Sequence, residues 1–223
     1  MAPKGIVNES EQYGDILRGE FMDTYKNLTL KSLLLLKYAT EFCGEVPFLV
    51  KSDDDILINV PYLARVLQTQ NNTRSIIGCV NVNPPVRRTG KWGMSRADFP
   101  SERYPKYVRG GAYVLPVPLA RELLEASKYF KLFPWEDVYV NGILAKAVKA
   151  NHTVMNDKFD FHPKRAPNYC DVILETKILT LKAKPKVLTK IWEKLNKKSD
   201  KDFKNCKTLN PRRKSENIKT NGA

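Results

Sequence analysis

The segment PFLVKSDDDILINV, residues 47–60, places three consecutive carboxylates between two apolar runs. The runs, 48–50 and 56–58, have the composition of buried strands. The carboxylates of Asp53, Asp54 and Asp55 repel one another, and burying them without a partner is costly. We therefore expect the first strand to end at the aspartates and a positive charge to lie beside them.

Helical and strand patterns alternate on both sides of this segment. Apolar spacing predicts an amphipathic helix ending near Gly44, and a second helix at 61–69 with Pro61 in its first turn. Further strands are predicted at 75–82, 112–118 and 153–161, and further helices at 119–130, 137–150 and 185–198. This alternation is typical of an α/β fold with a mainly parallel sheet, which binds ligands at the carboxyl ends of its strands. The three aspartates fall at such an end.

The aspartate triplet is a candidate metal site. A hard divalent cation prefers carboxylate oxygens, usually together with a substrate phosphate, and its charge offsets the repulsion. Lys51 is a further source of positive charge. The alternative is a solvated acidic turn in which Asp54 or Asp55 caps the residues that follow.

A second acidic group, Glu136–Asp137, occurs in FPWEDVYVNG, residues 133–142. It precedes a predicted helix and is flanked by Trp135 and Tyr139. A carboxylate beside aromatic rings loses hydration, which raises its proton affinity and suits a general base. The alternative is an ordinary helix start enriched in acids.

Residues 83–111 are predicted to form one long irregular segment that ends in Gly110 and Gly111. Loops of this length inside a domain are usually functional or disordered. Consecutive glycines permit a close backbone approach to a ligand, or equally a tight turn or bulge.

Positive charge is concentrated at the carboxyl terminus. The formal net charge is +14, and from Lys182 onward 14 Lys and Arg accompany only 4 Asp and Glu. Because this end is polar and has few aromatic residues, we predict a domain at 1–198, a basic disordered tail at 199–223, and no nucleic-acid partner.

The cysteines and the sequons bear on the cellular compartment. The four cysteines lack zinc-site spacing, and their disulfide pairing stays open. Four Asn-x-Ser/Thr sequons favour a secretory compartment, in which disulfides can form; they begin at Asn8, Asn27, Asn71 and Asn151. The chain shows neither a signal peptide nor an apolar run long enough to span a bilayer, so a targeting segment would lie outside it.

Five ordered motifs resemble the beta-1,3-galactosyltransferase family (glycosyltransferase family 31), which includes beta-1,3-N-acetylglucosaminyltransferases. The resemblance runs from Glu9 to about Tyr139, and more loosely to Leu195. The motifs are E-x-x-x-YGDIL at 9–17, FMDTYKNLTLK at 21–31, VKSDDDILIN at 50–59, GKWGMSRADFPSERYPKYVRGGAYVL at 90–115, and EDVYVNG at 136–142.

The resemblance implies a GT-A-type fold, here incomplete at its amino terminus. It also implies Mn²⁺ and a UDP-sugar donor, from which a hexose, galactose or N-acetylglucosamine, passes with inversion to a glycan acceptor on a glycoprotein or glycolipid. The linkage formed would be beta-1,3, in protein glycosylation. The family resides in the Golgi lumen behind a type II membrane anchor, and we expect this chain to have no such anchor of its own.

The resemblance also assigns roles to residues. Asp55 would hold the metal with Asp53, Asp53 and Asp54 would face the donor, and Asp137 would be the catalytic base beside Glu136. The walls of the donor and acceptor pocket would include Lys91, Trp92, Tyr104, Pro105, Tyr107, Gly110 and Gly111.

Three departures from the family pattern leave a second interpretation open. We expect the nucleotide-binding strands that precede Glu9 in the family to be absent, because only eight residues precede Glu9 here. Leu181 stands where a metal-ligating His is expected, and Arg109 and Pro116 replace a small residue and a Ser. The rival interpretation is a non-catalytic, truncated relative that binds a glycan or a partner protein without turnover.

Overall fold

A four-stranded sheet in the order β1-β4-β3-β5 forms the centre of the fold. The computed structural model describes residues 4–71, 73–161, 169–181, 185–197 and 200–209. The strands of this sheet are β1 Phe48–Ser52, β3 Ser75–Asn81, β4 Tyr107–Pro116 and β5 Asn151–Val154. A smaller sheet, in the order β2-β7-β6, consists of β2 Ile56–Ile58, β6 Phe159–Asp160 and β7 Leu179–Leu181.

The central sheet is mixed, which corrects the prediction of a mainly parallel one. β4 pairs antiparallel with both β1 and β3, and β3 pairs parallel with β5. The chain leaves β3 at Asn81 and re-enters the sheet at Tyr107, directly opposite Asn81. No helix forms between these two residues, so no crossover carries the chain back and its direction reverses. β1, β3 and β5 nevertheless run in the same direction.

The helices predicted from apolar spacing are confirmed, with small shifts in their ends. The first half contains α1 Lys4–Tyr13, α2 Leu28–Phe42, α3 Val60–Gln68 and α4 Val117–Ser127. A continuous helical stretch follows, made of α5 Glu136–Val138, a π-helix Tyr139–Leu144 and α6 Ala145–Ala147. The last helices are α7 Tyr169–Ile173, α8 Pro185–Asn196 and α9 Asp200–Leu209. Within the described ranges, no helix has the length and apolarity needed to cross a membrane.

The central sheet is buried on both faces. Ile76 and Val80 of β3 pack in one core cluster with residues of α2 and α4. Ile77 and Cys79, which alternate with them, belong to a second cluster with Leu63 of α3. Because successive side chains of a strand point to opposite faces, a strand buried on both sides is apolar throughout. This accounts for the apolar run in β3.

The carboxyl-terminal segment corrects the prediction of a disordered tail from 199. Residues 200–209 form α9, and a disulfide joins Cys206 of α9 to Cys170 of α7, with both cysteines buried. A cross-link and a buried contact hold this polar helix in place, and its composition alone reveals neither. The remainder of the predicted tail, 210–223, lies outside the described residues.

Candidate active site

Gly110 brings β4 against the Glu136–Asp137 pair. A Cβ added at Gly110 would lie 2.9 Å from Glu136 Oε2 and 3.0 Å from Asp137 Cβ. The backbone N–H of Gly110 donates to Asp137 Oδ2 at 3.1 Å. Gly110 therefore lies inside a strand rather than in a turn, and its missing side chain makes room for the two carboxylates.

Glu136 is buried between two donors. The hydroxyl of Tyr113 donates to Oε1 at 2.6 Å, and the ammonium of Lys51 lies 4.0 Å from Oε2. Burial raises the pKa of Glu136 to about 7, although the positive charge of Lys51 and the Tyr113 hydrogen bond lower it. The surroundings therefore favour the protonated form of this carboxyl more than water does, while its hydrogen bond with Tyr113 fixes its position.

Asp137 is held by the backbone. Its Oδ1 accepts from the N–H of Val138 at 2.9 Å, and its Oδ2 accepts from Gly110. Burial raises the pKa of Asp137, and these two N–H groups oppose that rise. A fixed carboxylate with increased proton affinity has the properties of a general base.

Lys51 links the acidic pair to the aspartate triplet. Its ammonium group forms an ion pair with Asp53 and donates to the carbonyl of Gly110 at 2.5 Å. The backbone N–H of Asp53 also donates to the carbonyl of Gly111 at 2.8 Å. The expected positive charge beside the aspartates is thus confirmed. Asp53 and Glu136 share one lysine, so both acidic groups lie at the same end of the sheet.

The other two aspartates are exposed. Asp54 and Asp55 form the turn that follows β1, and their side chains make no hydrogen bond or ion pair with any described residue. The strand beginning at Ile56 pairs with β7, and the backbone of Leu181 lies opposite Ile56. The position where the family pattern expects a His is therefore on the strand beside the triplet.

The donor chemistry of the triplet fits a divalent cation in part. Carboxylate oxygens suit Mn²⁺, and Asp55 is accessible. In the described part of the chain, no three His, Cys, Asp or Glu side chains are grouped as metal ligands. The residues therefore fit a site in which one or two carboxylates act together with a bound diphosphate, rather than an all-protein cage.

Lys91 and Trp92 lie in an exposed aromatic cluster centred on Tyr25. The indole N–H of Trp92 donates to the Tyr25 hydroxyl at 2.8 Å, and the Lys91 ammonium lies 4.1 Å from the centre of the Tyr25 ring. The Tyr25 ring is 6.4 Å, centroid to centroid, from that of Trp135, the residue before Glu136. This cluster therefore adjoins the start of the acidic pair without contacting the carboxylates.

The remaining candidates divide between two places. Tyr107 is close enough to Asp137 for that charge to add to the rise in the Tyr107 pKa, which burial mainly causes. Gly111 lies under Phe161, 2.4 Å from where a Cβ would be, so it serves packing. Tyr104 and Pro105 line a cleft of about 700 Å³ that neither Glu136 nor Asp137 lines, although the Asp137 charge also adds to the rise in the Tyr104 pKa, which burial mainly causes.

Sequence reasoning missed Tyr113 and Tyr25 as parts of this region. Tyr113 lies within the strand predicted at 112–118, and the sequence assigns no role to either tyrosine. Both act through partners distant in sequence, Glu136 and Trp92 respectively. The available signal was the polar hydroxyl in an otherwise apolar strand, since a buried Tyr hydroxyl usually has a hydrogen-bond partner.

Comparison with known proteins agrees with these motifs. The family model described as Galactosyltransferase matches residues 3–156. Human beta-1,3-galactosyltransferase 5 is 35% identical over 146 residues, which cover 64% of this chain and 47% of the relative. Human beta-1,3-galactosyltransferase 2 is 30% identical over 197 residues, covering 86% of this chain and 46% of the relative.

A fly protein gives the same result. Beta-1,3-galactosyltransferase brn of Drosophila melanogaster is 31% identical over 198 residues, covering 85% of this chain and 59% of the relative. The chain thus spans about half the length of the curated relatives it matches.

Proposed function

Because the chain belongs to the galactosyltransferase family, we propose that it is the catalytic part of a hexosyltransferase of GT-A type. The substrates would be a UDP-sugar, carrying galactose or N-acetylglucosamine, and a glycan hydroxyl, joined in beta-1,3 linkage. One observation supports this most directly. Two buried, fixed carboxylates lie beside a lysine that also binds an aspartate of the exposed triplet.

Asp137 is proposed as the base that takes the proton of the acceptor hydroxyl. Inverting sugar transfer needs a carboxylate on the face of the sugar opposite the leaving group. Backbone donors from Gly110 and Val138 fix both of its oxygens. Glu136, held by Tyr113 and Lys51, would position the neighbouring backbone and keep the site's charge balanced.

Asp55, with Asp53, is proposed to hold Mn²⁺ against the donor diphosphate. Asp55 is accessible, while Asp53 is already drawn toward Lys51. The chemistry that a divalent cation supplies at such a site is neutralisation of the charge on the departing diphosphate. Lys51 would keep this side of the site in register with the acidic pair.

The proposed compartment is the Golgi lumen. The Cys170–Cys206 disulfide supports an oxidising compartment, because such cross-links are rare in the cytosol. The glycan acceptor would then be carried by a glycoprotein or glycolipid passing through that compartment.

The rival proposal is a relative that binds a glycan or a partner protein without turnover, and the proposed metal site gives it support. Within the described residues no third protein ligand joins the aspartates. A chain of this kind would keep the fold and an acceptor surface but would not hold the donor in a metal-dependent way.

Calorimetric titration of UDP, with and without Mn²⁺, tests the proposal. Metal-dependent UDP binding by the folded chain would support a transferase. Absence of UDP binding to a chain that is folded by circular dichroism would favour the rival. A radiolabelled UDP-galactose or UDP-N-acetylglucosamine assay would then identify the donor.

A further inference from the structure

The side-chain amides of Asn27 and Asn151 differ in their contacts. The Asn27 amide is hydrogen-bonded within the fold, and the Asn151 amide bonds to none of the described residues. We propose that Asn151 carries an N-linked oligosaccharide in the folded protein and that Asn27 remains unmodified. This rests on the geometry of the two sites and on the disulfide, and it does not depend on the proposed sugar transfer.

The side chains of the Asn27 sequon already form hydrogen bonds within the fold. The side-chain amide of Asn27 donates to the carbonyl of Met22 at 2.8 Å, and its backbone N–H donates to the carbonyl of Thr24. The third residue of the sequon, Thr29, is 2% exposed, and its hydroxyl donates to the carbonyl of Phe133 at 2.6 Å. These contacts begin α2 and tie it to the segment before the acidic pair. The Asn-x-Thr pattern therefore already has a structural reason at this site.

A glycan at Asn27 would disturb this arrangement. It would replace one hydrogen of an amide that is half-buried and already used as a donor. Transfer of the oligosaccharide precedes folding, so a chain modified here would have to fold around a bulky, hydrated substituent. Such chains are expected to be missing from the folded population.

The acceptor amide of Asn151 meets no such conflict, although the Thr153 hydroxyl of its sequon is hydrogen-bonded to that of Ser75 at 2.7 Å. It is exposed and begins β5, where its backbone N–H donates to the carbonyl of Arg74 at 2.8 Å. Its side chain makes no hydrogen bond with any described residue. The backbone holds the strand, and the side-chain amide is left for modification.

The position of Asn151 also keeps a glycan away from the candidate active site. Asn151 lies opposite Ser75, at the start of both β3 and β5. Asp53 follows the end of β1, which runs in the same direction as β3. A substituent on Asn151 therefore projects from the end of the sheet opposite the acidic groups.

The same position gives the glycan a physical role. β5 is an outer strand of the sheet, and Val154 at its other end is exposed. Unpaired strand edges promote association between chains unless they are covered or charged. A hydrated oligosaccharide on the first residue of β5 would cover this edge.

The modification balances as a substitution at the sugar. The donor is an oligosaccharide linked to a polyprenyl diphosphate. A bond forms between Asn151 Nδ2 and the anomeric carbon, the bond from that carbon to the diphosphate oxygen breaks, and the lipid diphosphate departs. The displaced amide proton passes to solvent through the transferring enzyme.

The test uses the full chain, directed into the secretory pathway of a eukaryotic cell by a cleavable signal sequence. Chains with the Cys170–Cys206 disulfide are selected by non-reducing purification, from the medium or from the endoplasmic reticulum. Peptide N-glycosidase then converts each glycosylated Asn into Asp, which peptide mass spectrometry locates. We expect conversion at Asn151 and none at Asn27.

Matched variants repeat the test by electrophoresis. Asn151→Gln should remove the mobility shift of one glycan, and Asn27→Gln should leave mobility unchanged. Conversion of Asn27 in disulfide-bonded chains, or an unconverted Asn151, would overturn the proposal. Neither result would bear on sugar transfer, so the two proposals fail separately.

Discussion

The two acidic regions of this molecule differ in how far the protein fixes them. Both oxygens of Asp137 accept backbone hydrogen bonds, and Glu136 is buried between Tyr113 and Lys51. Among the described residues, only Asp53 of the triplet has an ion-pair partner, and Asp55 is exposed. Catalytic groups that must act at a defined geometry are usually fixed before the ligand binds. Groups that hold a ligand can become ordered when the ligand binds. The comparison therefore supports the proposal that the first region performs the chemistry and the second captures the ligand.

The largest expected effect comes from Asp137→Asn. An amide cannot accept the acceptor's proton, so transfer should fall by about 10²–10⁴-fold, the usual contribution of a general base. UDP binding should be unchanged, because the triplet is intact. Initial rates of sugar transfer and UDP titration on one preparation measure both effects. Asp157→Asn, an exposed turn aspartate, is the control, and equal loss of rate in both variants would refute the role of Asp137.

Glu136→Gln tests the burial side of the comparison through pH. Burial raises the pKa of Glu136 in the folded state to about 7, whereas its ordinary value is 4.5. Between pH 4.5 and pH 7 the folded state therefore keeps a proton that the unfolded chain has released. Stability should therefore decline as pH rises from 4.5 to 7, by about 3 kcal/mol from this group. Urea unfolding across that range should show a shallower decline in the variant.

Glu125→Gln serves as the control for this measurement, since the exposed Glu125 side chain pairs with no described residue other than Lys128. A pH dependence of unfolding identical in wild type and Glu136→Gln would show that burial does not shift this carboxyl.

Gly110→Ala challenges the close approach that builds the acidic pair. The added methyl would lie 2.9 Å from Glu136 Oε2, tighter than carbon–oxygen contacts allow without movement. Overpacking of this kind costs about 1–3 kcal/mol of unfolding free energy. Gly44→Ala, where nothing lies within 4 Å of the new methyl, is the matched change. Equal stabilities of the two variants would mean that the pair tolerates displacement.

Asp55→Ala gives the smallest expected effect and tests the proposed role of the aspartate triplet. Loss of one of few ligands to a weakly held ion should reduce Mn²⁺-dependent UDP affinity about tenfold, by analogy with losses around other metal sites. The unfolding free energy should stay unchanged because the side chain is exposed. If UDP binds without metal and Asp55→Ala does not change its affinity, the metal role of Asp55 is rejected. Asp157→Ala is the control.

The parts of the fold that depend on local pattern could be predicted, and the parts that depend on pairing could not. α2 and α3 follow from apolar spacing and from Pro61 at a helix start. The direction of β4 does not, because its register with β1 joins Lys51 to Tyr113 across three elements, β2, α3 and β3, and the long segment before β4. The same long-range contacts bring Tyr113 to Glu136.

The candidate site residues show the same difference between what local sequence predicts and what long-range contacts decide. Charge repulsion among the aspartates was enough to predict a positive neighbour, which is Lys51. The glycine pair indicates either a close approach or, equally, a tight turn, and the structure shows that Gly110 approaches the acidic pair itself. α9 escaped prediction because its polar sequence gives no sign that Cys206 is cross-linked and buried.

The late position of β4 in the chain has a consequence during synthesis. β1 and β3 both need β4 as their neighbour, yet β1 ends at Ser52 and β4 is complete only at Pro116. At about 5–20 residues per second, the ribosome leaves β1 waiting several seconds for its partner. Once β3 is complete at Asn81, both strands lack the element that lies between them in the sheet. We expect the nascent chain to rely on chaperones until the third strand of its sheet emerges.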